Sequence, residues 1–170
     1  MKIILETPRL IIREFMLADA EDVLYFNLPA EVTKYTGDAD LCKIVEDAKS
    51  IIENVWLKQY TEVGFARWAV VLKTTEKVIG FCGFKNEPRI NGVDLGYRFH
   101  PDYWGQGIAT EATQACIEYA RKHMDVKTIY GTAMSENKAS SHILKKLGMH
   151  YVRKHQQYNH TFDCYQMDLR

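Results

Sequence analysis

The stretch Tyr97-Arg98-Phe99-His100-Pro101-Asp102-Tyr103-Trp104-Gly105-Gln106-Gly107-Ile108-Ala109-Thr110-Glu111-Ala112 decides the reading of this chain. An apolar strand runs into a loop with two glycines one residue apart, and the loop opens an alanine-rich helix. The first N–H groups of a helix have no intrahelical partner and lie at the positive end of its dipole, where phosphates bind. Gly105 and Gly107 lack a Cβ, so an anion can approach the main chain closely. The stretch reads as a phosphate-cradling loop.

Outward from that loop, the pattern predicts a helix over residues 109–122, with Ala112, Ala115, Cys116 and Tyr119 on its packing face. A strand follows over 128–134. Strand, helix and strand make a βαβ unit, so the two strands are expected to be parallel with a right-handed crossover. A short helix is expected over 137–147, with Asn137 as N-cap and Gly148 just past its end. Strands over 149–157 and 161–169 close the chain as a hairpin.

Upstream, strands are expected over 65–72, 77–85 and 94–100. Thr74-Thr75 and Asn91-Gly92 look like the hairpin turns between them, and such short links make neighbours antiparallel. The N-terminal part gives a strand over 10–15, a helix over 19–28, and a helix over 40–58 in which Leu41, Ile44, Val45, Ala48, Ile51, Ile52, Val55 and Trp56 recur at helical spacing. The expected fold class is α+β: a mostly antiparallel central sheet with one parallel pair, flanked by helices, in one domain spanning 1–170.

Composition limits the function. Hydrophobic residues make up 46% of the 170, which fits a globular fold with a sizeable core. No apolar run is long enough to span a membrane. Glu6, Thr7 and Pro8 break the run Ile3-Ile4-Leu5 before it resembles a signal peptide, so a cytoplasmic protein is expected. Lys+Arg and Asp+Glu are both 22, which argues against a nucleic-acid protein held by phosphate contacts. Lys138, Lys145 and Lys146 form a local basic patch or a solvated helix face. Cys42, Cys82, Cys116 and Cys164 form no C-x-x-C pair, so neither a zinc site nor a redox motif is indicated, and no metal is expected.

Two nucleotide motifs fail at the loop. The dinucleotide fingerprint needs a third glycine where Thr110 stands, and the strand after the helix lacks an acidic end. A P-loop needs Gly-Lys-Ser/Thr, which is absent. That leaves a phosphate loop of a third kind.

Three stretches carry a family resemblance: Thr7-Pro8-Arg9-Leu10-Ile11-Ile12-Arg13; Asp94-Leu95-Gly96-Tyr97 with Trp104 through Ala112; and Asn137-Lys138-Ala139-Ser140 with Leu147-Gly148-Met149. Together they resemble the GNAT superfamily of acyl-CoA-dependent N-acyltransferases, in the branch related to ribosomal-protein N-terminal acetyltransferases. The superfamily pattern is Gln/Arg-x-x-Gly-x-Gly/Ala. Gly107 and Ala109 fill its small positions, and Trp104 stands where Gln or Arg is usual.

The resemblance implies the GNAT fold, in which the strands at 94–100 and 128–134 splay apart and the pantetheine arm of acetyl-CoA lies between them. It implies that the arm pairs with backbone around Phe99 and His100. The pyrophosphate would rest on Gly105, Gln106, Gly107, Ile108, Ala109 and Thr110, and Asn137 would bond the arm. The activity implied is transfer of an acetyl group directly to a primary amine, on a protein N-terminus or a small molecule, without an acyl-enzyme. A backbone N–H near 97–99 would stabilise the oxyanion.

Asp94 matches a position where the branch carries Glu, and is the first candidate for the base that deprotonates the amine, with water relaying the shorter side chain; its other reading is a hairpin-end carboxylate. Glu111 lies in the first helical turn, where the dipole alone accounts for a carboxylate. Ser140 is the candidate proton donor to the thiolate, ahead of Tyr151. His155, Tyr158, His160, Trp56, Trp68 and Tyr35 either line an acceptor groove or simply pack. The sequence leaves open a non-catalytic acyl-CoA-binding module, a homodimer, and the identity of the acceptor. A nucleotide-dependent oxidoreductase is disfavoured by the failed fingerprint.

Overall fold

The computed structural model describes residues Met1–Arg170. Eight strands form one sheet: β1 (Ile3–Glu6), β2 (Leu10–Arg13), β3 (Arg67–Leu72), β4 (Lys77–Glu87), β5 (Gly92–Phe99), β6 (Thr128–Met134), β7 (His150–Gln157) and β8 (His160–Asp168). Their order is β1-β2-β3-β4-β5-β6-β8-β7. Only β5 and β6 pair in parallel; every other neighbour pair is antiparallel. The crossover between them is α5 (Ile108–His123). α6 (Lys138–Lys146) follows β6. Between β2 and β3 come α1 (Ala20–Asn27), α2 (Ala30–Thr33) and α3 (Val45–Ile51), which continues through a π-helical turn (Ile52–Leu57) into α4 (Lys58–Glu62).

Alternation along the strands divides the core in two. Leu10, Ile12, Trp68 and Val70 face one side, where Ala112, Cys116 and Ile117 of α5 pack on them. Ala69 and Val71 face the other, against Phe15, Val23, Phe26, Ile52 and Trp56. On β4 a register shift opposite Val70/Val71 inserts one residue, so Val78 and Phe81 share the second face although an odd number of positions separates them. The N-terminal helices are tied to the sheet by a buried bidentate pair, Arg13 to Asp19, at 2.8 Å on both arms.

The mixed sheet with one parallel pair, the α5 crossover, the closing hairpin and the cap of α6 agree with the sequence expectation. Asn137 accepts the Ser140 N–H, and Gly148 has φ +92 just past the helix end.

Three elements differ. β1 pairs with β2 because Thr7 turns the chain: its N–H donates to Leu10 O and its Oγ1 accepts the Leu10 N–H. The helix expected from residue 40 begins at Val45, because the Asp47 carboxylate caps the Lys43 and Ile44 N–H groups. Leu41 and Ile44 stay outside it, 66% and 55% exposed, and do not belong to the core. The helix then runs on to Glu62. Between β4 and β5 a 3-10 turn (Pro88–Ile90) intervenes, with Asn91 in the left-handed region, so the link is longer than a two-residue hairpin. No helix is long and apolar enough to cross a membrane.

Candidate active site

β5 and β6 pair only at Val93–Ile129 and Asp94–Tyr130; beyond Asp94 they part. His100 N–H donates to Ile79 O. Because bonds alternate along an antiparallel ladder, the even-numbered residues of β5 are satisfied by β4, and Leu95, Tyr97 and Phe99 turn their backbone groups into the gap. Phe99 O is already taken by the Trp104 indole N–H, at 2.8 Å. His100 has its amide N–H bonded into β4. Its ring is stacked on Tyr25 at 4.1 Å, and its Nδ1 accepts the Asp102 N–H.

At the end of β5 the loop passes through Gly105 at φ +70 and Gly107 at φ +76, a region costly for residues with a Cβ. Gly107 is the N-cap of α5, and it leaves the N–H groups of Ile108, Ala109 and Thr110 without intrahelical partners. Ile108 is buried in the core and anchors this turn. The Gln106 side chain donates back to Asp102 O, so its contribution to an anion site is its backbone. The predicted cradle residues Gly105 to Thr110 thus lie together at the helix start, beside the gap.

Asn137 and Ser140 stand across the gap on α6. Asn137 Oδ1 accepts the Ser140 N–H, which leaves the amide end of the side chain as a donor. Ser140 Oγ lies 2.8 Å from the Tyr97 hydroxyl. Burial pushes Tyr97 up to about 12, against the pull of the Ser140 bond, so both hydroxyls are protonated at neutral pH. Tyr151, the alternative donor, lies on β7, 51% exposed and packed edge-on against Tyr165.

On the opposite sheet face a cavity of about 430 Å³ opens between the helices and β3–β5. Phe81, Trp56, Arg67, Arg98, Lys85, Asp38 and Asn27 are among the residues that line it. Arg98 donates to Asn27 Oδ1 at 2.6 Å and to Asp38 Oδ2 at 2.8 Å, and its Nε is buried without a partner. Burial alone would raise Asp38, but Arg98 and a bond from Thr36 outweigh it and hold the carboxyl below its ordinary value. Cys42 also lines the cavity, 6% exposed; burial raises its thiol and keeps it protonated.

Asp94 is 6% exposed, its Oδ2 held at 2.6 Å by Arg67, which lines this cavity. Burial raises its carboxyl in spite of Arg67. No protein donor reaches Oδ1. Gly96 makes room for the pair: a Cβ there would stand 2.3 Å from Arg67 Nη2. Glu111 is engaged on both oxygens, by Thr7 Oγ1, Arg9 N and Arg9 Nε, which leaves it a structural residue.

The remaining candidates separate. Trp56 lines the cavity, whereas Trp68 is a core residue against Phe84 and Tyr119. Tyr158 stacks on Arg89 and lies 3.9 Å from where a Gly37 Cβ would be, so the β7–β8 tip meets the loop beside the cavity. His160 lines a separate cavity with Ser135 and Lys154, and His155 stacks on Phe162. Sequence reading missed Arg67, Arg98, Asp38 and Tyr97. The available signal was two arginines set singly in apolar strands, where an unpaired charge is costly.

The β5–β6 gap thus lies beside a glycine-turned helix N-terminus, with a cavity across the sheet. The model of the acetyltransferase (GNAT) domain matches residues 9–150, and the chain belongs to that family. It is an acyltransferase by class. The uncharacterized N-acetyltransferase YoaA of Bacillus subtilis is 30% identical over 146 residues, 85% of this chain and 81% of that protein. YnaD of the same organism, also an uncharacterized N-acetyltransferase, is 31% identical over 143 residues, 84% and 80% of the two chains. Among solved structures, a GNAT-family acetyltransferase from Bacillus anthracis superposes with a TM-score of 0.82 at 24% identity, covering 99% of both chains. RimL, a ribosomal-protein alpha-N acetyltransferase in complex with coenzyme A, gives 0.85 at 15% identity, covering 98% of both. Both share the fold of this chain.

Proposed function

We propose that residues 1–170 form one N-acetyltransferase domain that passes an acetyl group from acetyl-CoA directly to a primary amine in a ternary complex. The observation that carries this is the junction of a splayed β5–β6 pair with a loop that turns through Gly105 and Gly107 into α5. The N–H groups from Gly105 to Thr110 hold the donor's pyrophosphate. The free backbone of Tyr97, the Phe99 N–H and the Asn137 amide hold its pantetheine arm. Acceptor amine enters from the cavity lined by Phe81 and Arg98.

Amines of this kind are largely protonated near neutral pH, so a proton must leave before attack. Asp94 accepts it through water at Oδ1, the oxygen Arg67 leaves unengaged. The neutral amine adds to the thioester carbonyl, whose oxyanion is met by a β5 amide. Collapse breaks the C–S bond; the Ser140 hydroxyl, backed by Tyr97, protonates the departing thiolate, and the second proton, released by the former amine nitrogen as it becomes the amide, returns through water to restore the Ser140 hydroxyl. No cysteine takes the acetyl group in this scheme; Cys42 is the only one lining the acceptor cavity, and its thiol is held protonated by burial.

A protein N-terminus or a small-molecule amine both satisfy this chemistry. A solved neighbour, RimL, is by its description an alpha-N acetyltransferase of a ribosomal protein, which supports the first. The test is thermal stabilisation by CoA together with CoA release from acetyl-CoA over a panel of amines and N-terminal peptides. Intersecting double-reciprocal plots are expected, and parallel ones would exclude the ternary complex. Absence of both stabilisation and release sinks the proposal.

One observation favours a second reading, a non-catalytic acyl-CoA-binding module: Asp94 is buried and locked on Arg67. Tight CoA binding with no acetylated product from any amine would select it.

A further inference from the structure

Arg9 lies ahead of β2, some hundred residues from the glycine loop in sequence, yet its guanidinium is fastened to that loop. Nη1 donates to Gln106 O at 2.8 Å, and Nε to Glu111 Oε2 at 2.6 Å. Nη2 lies 3.5 Å from where a Gly107 Cβ would stand. Behind it, the Arg9 N–H and Thr7 Oγ1 hold Glu111 Oε1 at 3.1 and 2.6 Å, and Lys73 Nζ holds Thr7 O at 2.7 Å.

This arrangement answers an electrostatic conflict. Glu111 sits in the first turn of the helix whose N-terminus would bind a pyrophosphate. A carboxylate there is favoured by the dipole, but it repels a phosphate arriving at the same N–H groups. The usual Gln or Arg at the head of the motif is replaced by Trp104, whose indole N–H is spent on Phe99 O. The loop therefore supplies no cation of its own.

We propose that Arg9 is a positioning residue of the donor site: it neutralises Glu111, turns that carboxylate back toward β2, and fixes the Gln106 carbonyl so that the loop N–H groups face the donor's pyrophosphate. The proposal rests on the reading of Gly105 to Thr110 as the phosphate cradle. Two arms of one rigid guanidinium reach two partners, which a lysine ammonium does not reproduce. Thr7, Arg9 and Glu111 act as one strap from the N-terminal strand pair to the start of α5.

The experiment compares two donors. Acetyl-CoA carries the pyrophosphate; S-acetylpantetheine has the same thioester and arm without it. Arg9→Met is expected to lower kcat/KM for acetyl-CoA by about tenfold or more, the scale of losing charge-assisted hydrogen bonds, through KM. It is expected to leave S-acetylpantetheine within about twofold. The double variant Arg9→Met/Glu111→Gln is expected to recover part of the loss, because the unmasked carboxylate is gone. If Arg9→Met does not fold, Arg9→Lys is read by the same donor ratio. Equal loss on both donors, or no loss on acetyl-CoA, overturns the role of Arg9. A wild-type protein that uses both donors equally well overturns the cradle reading itself, and the strap with it.

Discussion

The Tyr97 hydroxyl lies 2.8 Å from Ser140 Oγ, joining β5 to α6 across the gap where β5 and β6 part. The two residues are 43 positions apart in the chain, and this bond is a direct polar link between the strand and the helix. Ser140 is thereby held at the mouth of the gap, with its own N–H on Asn137. If the pair protonates the leaving thiolate, Ser140→Ala should lower kcat by about 10²-fold, the lower end for general acid catalysis, with the KM for acetyl-CoA little changed. Tyr97→Phe should cost less, because Ser140 remains. Since burial raises Tyr97 to about 12, no falling limb from this pair is expected in the pH–rate profile below pH ~10. A kcat loss smaller in Ser140→Ala than in Tyr97→Phe would reverse the assignment.

Asp38 fastens the loop after α2 to Arg98 of β5. Its carboxyl is held below the ordinary value of 3.8 in the folded protein, so the ionised form stabilises the fold. The sign follows: this contribution is complete above the unfolded value and is lost as pH falls through the lowered folded value. Asp38→Asn should therefore be less stable than wild type at pH 7, and the difference should shrink as the solution is acidified below pH ~4. Urea denaturation at several pH values measures it. A difference that grows on acidification would contradict the pairing.

How far the sequence revealed this molecule depends on the kind of signal. The glycine loop, α5 and β6 were legible because backbone geometry and apolar periodicity are written locally: Gly105 and Gly107 adopt the left-handed conformations their lack of a Cβ permits. The start of α3 was not, because Leu41 and Ile44 continue the helical spacing while Asp47 caps the chain beyond them. The cavity beside Arg98 and the Tyr97–Ser140 link were least legible. Arg67, Arg98, Asp38 and Tyr97 acquire meaning only from partners far along the chain: Asp94, Asn27, Arg98 and Ser140 respectively. The direction of the His100 amide is likewise set at a distance, by the ladder with β4.

Gly107→Glu tests the cradle directly. The position has φ +76, which costs a residue with a Cβ about 1–2 kcal/mol. The new side chain would start 3.5 Å from Arg9 Nη2 and add a negative charge beside the loop. CoA-dependent thermal stabilisation should vanish, while the far-UV circular dichroism spectrum stays that of the wild type. Undiminished CoA affinity in a folded Gly107→Glu protein would remove the cradle from this loop.

Asp94 and Gly96 separate chemistry from support. Asp94→Asn leaves the Arg67 guanidinium, with 12% of its side chain exposed, without its counter-charge. Breaking one half of such a pair costs about 3–5 kcal/mol, so lowered stability alone says nothing about catalysis. Gly96→Ala provides the control. A Cβ 2.3 Å from Arg67 Nη2 must displace the guanidinium while Asp94 keeps its carboxylate. Both variants should lose stability to urea. They should differ in the pH dependence of turnover. Burial raises the Asp94 carboxyl, so the wild-type rate should fall as acid protonates it, and Gly96→Ala should keep that acidic limb. Asp94→Asn should lose the limb along with most of its kcat, while CoA still stabilises the protein. An acidic limb that persists in Asp94→Asn would assign the base to another group, and the pocket carboxylate of Asp38 would be the next to substitute.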